Sequence, residues 1–224
     1  MIRNHKWKII LASVLTLLPI LVGVILWDSL PDPMPTHWGI HGQVDGWSSK
    51  PFAVFGLPLI LLAVQYLCLF FTVMDPKNTD QNPKILGLTL WLIPVLSLLV
   101  NSMTYATALG VALDMITLLL LFTGLLFAVI GNYLPKCKQS YTIGIKISWT
   151  LNSEANWHAT HRLAGRFWTV CGVLMMIVAF LPATVALICS LALLIVMIAV
   201  PMVYSYRFYK KEQLMQQHSA SQQD

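Results

Sequence analysis

Five stretches of this chain, residues 9–27, 51–74, 85–113, 115–135 and 167–206, contain no charged side chain. A helix crosses the hydrocarbon core of a bilayer with about 20 residues rising about 1.5 Å each, so the first four stretches supply one crossing apiece. The fifth would be roughly 60 Å long as a single helix, twice the core thickness, and must fold back. Its natural turn is Leu181-Pro182-Ala183-Thr184, because Pro182 has no N–H for the helix ladder and biases Leu181 out of it. The expected architecture is an all-α integral membrane protein with six transmembrane helices. With 57% hydrophobic and only 10% charged residues, the composition lies outside that of soluble domains.

Charge placement predicts the topology. Of the 14 Lys and Arg residues, all but Lys50 fall on one side if the N-terminus is cytoplasmic, and an even number of crossings returns the C-terminus to the same side. The net charge of +5 then reflects basic loops facing anionic inner-leaflet lipids, and no compact basic face interleaved with aromatics suggests direct nucleic-acid binding. The opening "MIRNHKWK" precedes a run of full bilayer length with no small-residue cleavage site, so it reads as an uncleaved anchor. Cys68, Cys137, Cys171 and Cys189 form no C-x-x-C pair and read as small apolar fillers. Pro19, Pro58 and Pro94 fall inside spans, where kinks are tolerated.

Two connecting segments exceed the usual loop length and are too rich in Trp, Pro and Gly to read as disordered. The first, 28–50, lies outside and contains "PDPMPTHWGIHGQVDGWSSK", a compact cap in which prolines and glycines set turns while Trp38 and Trp47 anchor at the interface. His37 and His41 are four apart with Asp45 nearby, a metal-like spacing on a helix. Pro35, Gly39 and Gly42 argue against a helix there, so a metal-dependent enzyme built on His37, His41 and Asp45 is the alternative reading, not the leading one. The second, 132–166, lies inside. "YTIGIKISWTL" is β-branched and aromatic and expected to be extended. Asn152 or Ser153 then caps a helix with Glu154 in its first turn. Continued, that helix puts Trp157, His161, Ala164 and Trp168 on one face, as an interfacial helix with its rings at headgroup depth and Arg162 and Arg166 toward phosphates. His158 and His161 invite a metal reading too, with only Glu154 at hand. The polar tail 212–224 is expected to fray. Motifs of hydrolases, zinc peptidases and nucleotide-binding loops are absent, and the spans hold few polar groups beyond Gln65 and Asn101.

Both segments carry a family resemblance. The outer "LPDPMPTHWGIHGQVDGWSSK" resembles the signature of an uncharacterised N-terminal module of bacterial multi-pass proteins, and "GNYLPK", "GIKISWTL" and "WHATHRLAGR" resemble the C-terminal signature of the SdpI family. The matching positions are Pro31, Pro35, His37, Gly42, Asp45 and Lys50 outside, and Gly131, Asn132, Pro135, Gly144, Lys146, Trp149, Thr150, Trp157, Thr160, His161 and Gly165 inside. Where the family pattern reads Gly-Ile-Arg-Thr-Pro-Trp-Thr, this chain has Lys146 in place of the arginine, keeping the charge without the guanidinium fork.

The resemblance implies a module at 1–84 with two transmembrane helices and the outer loop, an SdpI-like module at 85–211 with four, and a bacterial plasma-membrane location. It implies a non-enzymatic immunity protein against a secreted peptide toxin that also sequesters a cytoplasmic transcriptional repressor, with lipids as its surroundings and no cofactor. Toxin-binding candidates are Pro35, His37, Trp38, His41, Gly42, Asp45 and Lys50. Partner-binding candidates are Asn132, Pro135, Gly144, Lys146, Trp149, Thr150, Trp157, Thr160, His161 and Arg162.

Overall fold

A computed structural model describes residues 2–78 and 81–221. Its helices are α1 (Ile2–Ile25), α2 (Leu57–Met74), α3 (Pro83–Ala108), α4 (Met115–Tyr133), α5 (Ser148–Asn152), α6 (Glu154–Val178) and α7 (Ala183–Ala220). Between α1 and α2 lie two strands, β1 (Met34–Trp38) and β2 (Val44–Ser48), and a π-helical turn, Phe52–Gly56, leads into α2. The expectation of an all-α chain is met for everything but this hairpin. Among the described residues five helical segments are long and apolar enough to cross a membrane: Lys6–Ile25, Phe52–Met74, Pro83–Ala108, Met115–Lys136 and Ala183–Ser219. Against the expected six, α6 falls short because Glu154, Arg162 and Arg166 occupy its first half and only its second half is apolar.

The chain forms two compact units. The first holds α1, the hairpin, α2, α3 and the first turn of α4. Its apolar core is Leu30, Met34, Ala53, Val54 and Tyr105, with Leu26, Trp27 and Ala108 packed against it. Gly23 lets α1 approach closely, since a Cβ there would sit 2.6 Å from Val54 Cγ1. A polar thread runs through the three helices. The Thr16 hydroxyl donates to Gln65 Oε1 at 2.6 Å, Ser97 donates to the Thr16 carbonyl at 2.8 Å, and Asn101 Nδ2 donates to the Ser97 carbonyl at 2.8 Å. Polar side chains in hydrocarbon are held by such partners because no water competes.

The second unit holds the rest of α4 with α5, α6 and α7. Small residues set its α4–α6 contact: a Cβ on Gly124 would lie 2.6 Å from the Gly172 carbonyl oxygen, and one on Gly131 would lie 2.5 Å from Thr169 N. Backbones that close need glycine, which is how membrane helices gain dispersion contacts without a hydrophobic drive. The pairs 124/172 and 131/165 make α4 and α6 antiparallel. Packing of α6 on α7 is also antiparallel: Trp168 Nε1 donates to the Met197 carbonyl at 3.0 Å and Asn156 Nδ2 to the Ser205 carbonyl at 3.0 Å. The frayed tail is not what forms, because α7 continues as one helix to Ala220, with Glu212 accepting from the Ser153 hydroxyl at 2.9 Å.

Candidate functional site

The hairpin rises from the first unit's core. Met34, at the start of β1, is fully buried there, and Pro35 beside it is buried too. The strands pair antiparallel, Met34 with Ser48, Pro35 with Trp47, His37 with Gly46 and Trp38 with Val44, with irregularities on either side of His37. At the tip Gly42 takes φ +78°, Gly39 N–H donates to the Gln43 carbonyl at 2.9 Å and Gly42 N–H to the Gly39 carbonyl at 2.9 Å. Gly46 makes room for His37, whose Cβ would stand 2.8 Å from a Cβ added opposite it. Thr36 and Ser48 share a hydroxyl hydrogen bond at 2.8 Å across the strands.

Lys50 closes the base of the hairpin. Its ammonium donates to the Trp27 carbonyl at 3.1 Å and lies 5.2 Å from the centre of the Trp27 ring, and its backbone N–H donates to Asp32 Oδ1 at 3.1 Å. One residue thus ties the end of β2 to the segment leaving α1.

His37 Nδ1 lies 2.5 Å from Asp45 Oδ1, with both side chains largely open to solvent, at 72% and 52%. His41 is exposed at the tip, and among the described residues no three His, Cys, Asp or Glu side chains come together as a metal set. As Pro35, Gly39 and Gly42 lead one to expect, His37 and His41 share no helix face: His37 sits in a strand and His41 in the turn. The hairpin instead displays apolar surface: Ile40 at the tip is 75% exposed and Trp47, opposite Pro35 toward the base, 57%, with Trp38 half-buried. Asp28, Asp32 and Asp45 against Lys50 give residues 28–50 an acidic balance.

The candidates in the inner segment are brought together, but as a packed knot. Of the piece 141–151 expected to be extended, residues 141–147 run irregularly with 137–140 before them, because their hydrogen bonds go to side chains, and 148–151 belong to α5. Ile145 N–H donates to His161 Nε2 at 2.9 Å, and Ile147 N–H to Thr150 Oγ1 at 3.2 Å, while the Thr150 hydroxyl donates to the Ile145 carbonyl at 2.7 Å. Gln139 Nε2 donates to the Thr150 and Leu151 carbonyls at 2.8 and 2.9 Å, satisfying the end of α5. Ser153 is the N-cap of α6, its hydroxyl accepting from Asn156 N–H at 3.1 Å.

Trp157 is fully buried and donates from Nε1 to the Cys137 carbonyl at 2.9 Å. Its ring stacks on His161 with centroids 3.9 Å apart. Both rings are buried beneath the 137–147 segment and not set out on an open helix face. His161 Nδ1–H donates to the Trp157 carbonyl at 2.8 Å while Nε2 accepts, which fixes a neutral tautomer. Burial holds its pKa down at about 4. Gly144 passes over this stack at φ +118°, and a Cβ on it would lie 2.7 Å from both His161 Nε2 and the Trp157 ring. Cys137, buried alongside, has its thiol pushed up to about 11 by the same desolvation. His158 faces outward and pairs with Glu154 at 3.5 Å.

Thr160 joins a network that motif reading missed. Asn156 Oδ1 accepts from both the Thr160 and Ser205 hydroxyls at 2.9 Å, so every polar atom of the buried Asn156 amide carries a bond. The available signal was Ser205, a hydroxyl inside an otherwise apolar run. Pro135 packs on Gly165, where a Cβ would meet its ring at 2.6 Å. Asn132, Lys146, Arg162 and Arg166 are exposed, and half-buried Trp149 lies 5.1 Å from Tyr206 and 6.5 Å from Tyr209.

Two family models match the chain: the SdpI/YfhL protein family over residues 136–205, which holds most of this knot, and a domain of unknown function, DUF1648, over 14–62, which holds the hairpin. The chain is 26% identical over 204 residues to Immunity protein SdpI of Bacillus subtilis (strain 168), covering 91% of this chain and 97% of that protein. No solved structure matches it. The hairpin, the knot and five membrane-length helices thus stand in the order of the resemblance, on a multi-pass membrane protein whose residues 136–205 match the SdpI/YfhL family model and whose residues 14–62 match DUF1648.

Proposed function

We propose that this chain is a non-enzymatic immunity protein of the bacterial plasma membrane, protecting its cell against a secreted antimicrobial peptide that it meets at the hairpin. The observation that carries the reading is the hairpin's surface: an acidic balance from Asp28, Asp32 and Asp45 beside exposed Ile40 and Trp47, complementary to a cationic amphipathic peptide. Likeness to a protein named for immunity over nearly the whole chain supports it.

The hairpin faces outward in this reading, with both termini cytoplasmic. α6 and the turn after it make the sixth crossing over residues 162–181, beside the antiparallel α7, while Arg162 and Arg166 snorkel toward the inner headgroups. The 1–84 module then presents the peptide-facing cap and 85–211 the inner face.

The test is survival of a sensitive bacterium under peptide challenge, comparing wild type with Ile40→Asp and Trp47→Ala at matched membrane abundance. Protection by the wild type that either hairpin-surface variant loses is the expected result. Equal survival with and without the protein across a peptide panel would overturn the reading.

A second role, sequestration of a cytoplasmic repressor on the inner face, is supported by exposed Lys146, Arg162 and Arg166 around a knot rigid enough to present them. Toxin-dependent co-purification of a small DNA-binding protein, lost in Lys146→Glu/Arg162→Glu, is its test.

A further inference from the structure

The first unit has a crevice where the start of α1, the end of α2 and the start of α3 diverge, with about 570 Å³ of unfilled space including its mouth. Its walls are Ile9 from α1, Leu69, Thr72 and Val73 from α2, and Pro83, Leu86, Gly87, Thr89 and Leu90 from α3. The two threonines do not make it polar. Thr72 donates to the Cys68 carbonyl at 2.7 Å and Thr89 to the Ile85 carbonyl at 3.1 Å, each spending its hydroxyl on its own helix. Gly87 deepens the crevice, for a Cβ on it would meet nothing within 4 Å. A single ionisable side chain, Lys8, lines the site.

An apolar slot between membrane-length helices with a cation as its one charged lining group matches a particular ligand chemistry. Hydrocarbon fills the walls, and a negative group belongs beside Lys8. The α2–α3 connection is balanced, Lys77 and Lys84 against Asp75 and Asp80, and the excess of positive charge comes from the start of α1, where Arg3 and Lys6 precede Lys8.

We propose that this crevice is a binding site for an anionic phospholipid, one acyl chain lying along Leu69, Val73, Leu86 and Leu90 with its phosphate against Lys8. Burial of the chain supplies retention, because each methylene leaves a disordered tail environment for fixed contacts. Lys8 supplies the choice of headgroup. The site is separate from the hairpin, and its occupancy is read without any peptide.

Native mass spectrometry of the purified full-length protein tests this, after delipidation and addition of palmitoyl-oleoyl phosphatidylglycerol or the phosphatidylcholine with the same chains. Wild type is expected to keep a phosphatidylglycerol adduct with a preference of about fivefold over phosphatidylcholine, the scale of one basic residue at a membrane surface. Gly87→Phe, which fills open space on a helix and favours helical backbone, is expected to lose the adduct. Lys8→Gln is expected to keep an adduct and lose the preference. An unchanged adduct and preference in Gly87→Phe overturns the site, as does an unchanged preference in Lys8→Gln, a surface substitution that leaves packing intact.

Discussion

The indole of Trp168 donates to the carbonyl of Met197, the one position on α7 that Pro201 deprives of its helical N–H partner. A proline inside a membrane helix frees the carbonyl four residues before it, and a neighbouring helix must satisfy that group. Here α6 does so with Trp168, which is thereby a structural partner of Pro201.

That relationship predicts a dependence between the two residues. Trp168→Phe should cost about 1–2 kcal/mol of stability, the scale of a lost hydrogen bond to a buried carbonyl. In a Pro201→Ala background the restored N–H at position 201 can take the Met197 carbonyl, and the cost should fall below about 0.5 kcal/mol. Denaturant unfolding in micelles of the four proteins measures this, and equal costs in both backgrounds would refute it.

Gly144 is expected to be far less replaceable than Gly87. Gly144→Ala meets the Trp157 and His161 rings at 2.7 Å and strains a backbone at φ +118°, for a loss of about 2–4 kcal/mol. Gly87→Ala has open space and should be neutral or stabilising by up to about 1 kcal/mol. Thermal unfolding of both side by side separates a conformational requirement from a general intolerance of added methyls.

His161 makes stability pH-dependent with a defined sign. In the unfolded chain it titrates near its ordinary 6.5, whereas burial holds the folded residue at about 4. Between those values the unfolded state binds the extra proton, so its contribution to stability is complete above about pH 7 and is lost as pH falls toward 4, with a limiting slope of about 1.4 kcal/mol per pH unit. His161→Gln should remove that component from the unfolding profile. A profile that keeps the same slope in the variant would assign it elsewhere.

Lys50→Met is expected to loosen the hairpin and the first unit's core beneath it, and to leave the second unit unchanged. The variant loses the bond to the Trp27 carbonyl and the contact with its ring, worth about 1 kcal/mol together. Hydrogen exchange in Met34–Trp38 and Val44–Ser48 should quicken about fivefold while α4 to α7 keep their protection. Uniform acceleration across the chain would mean that Lys50 supports the whole fold.

The crossings were legible because hydrocarbon imposes a length and excludes charge, and windows such as 51–74 answer both demands. The hairpin was not, since Pro33, Pro35 and three glycines erase the alternation that marks a strand, and proline is tolerated here only because both strands are edges. For the site, the inner motif residues Gly144, Trp157 and His161 were named without their relation: a positive φ and a ring stack depend on which segment returns over the helix, and no spacing encodes that. The helical tail was hidden by a polar composition that suits a solvated helix as well as a frayed end. The terminal helix-forming residues, with Glu212 reaching Ser153, decided it.

A pair of five-residue strands with no third strand has almost no stability of its own in water. This one persists because Met34 is set among Leu30, Ala53, Val54 and Tyr105, where the chain leaves α1, turns toward α2 and ends α3, and Lys50 is clamped to Trp27. The hairpin and the helix core beneath it are therefore one cooperative equilibrium. A substitution that stiffens the hairpin is then expected to steady the helix ends beneath it, and one that pries those ends apart to dissolve the hairpin.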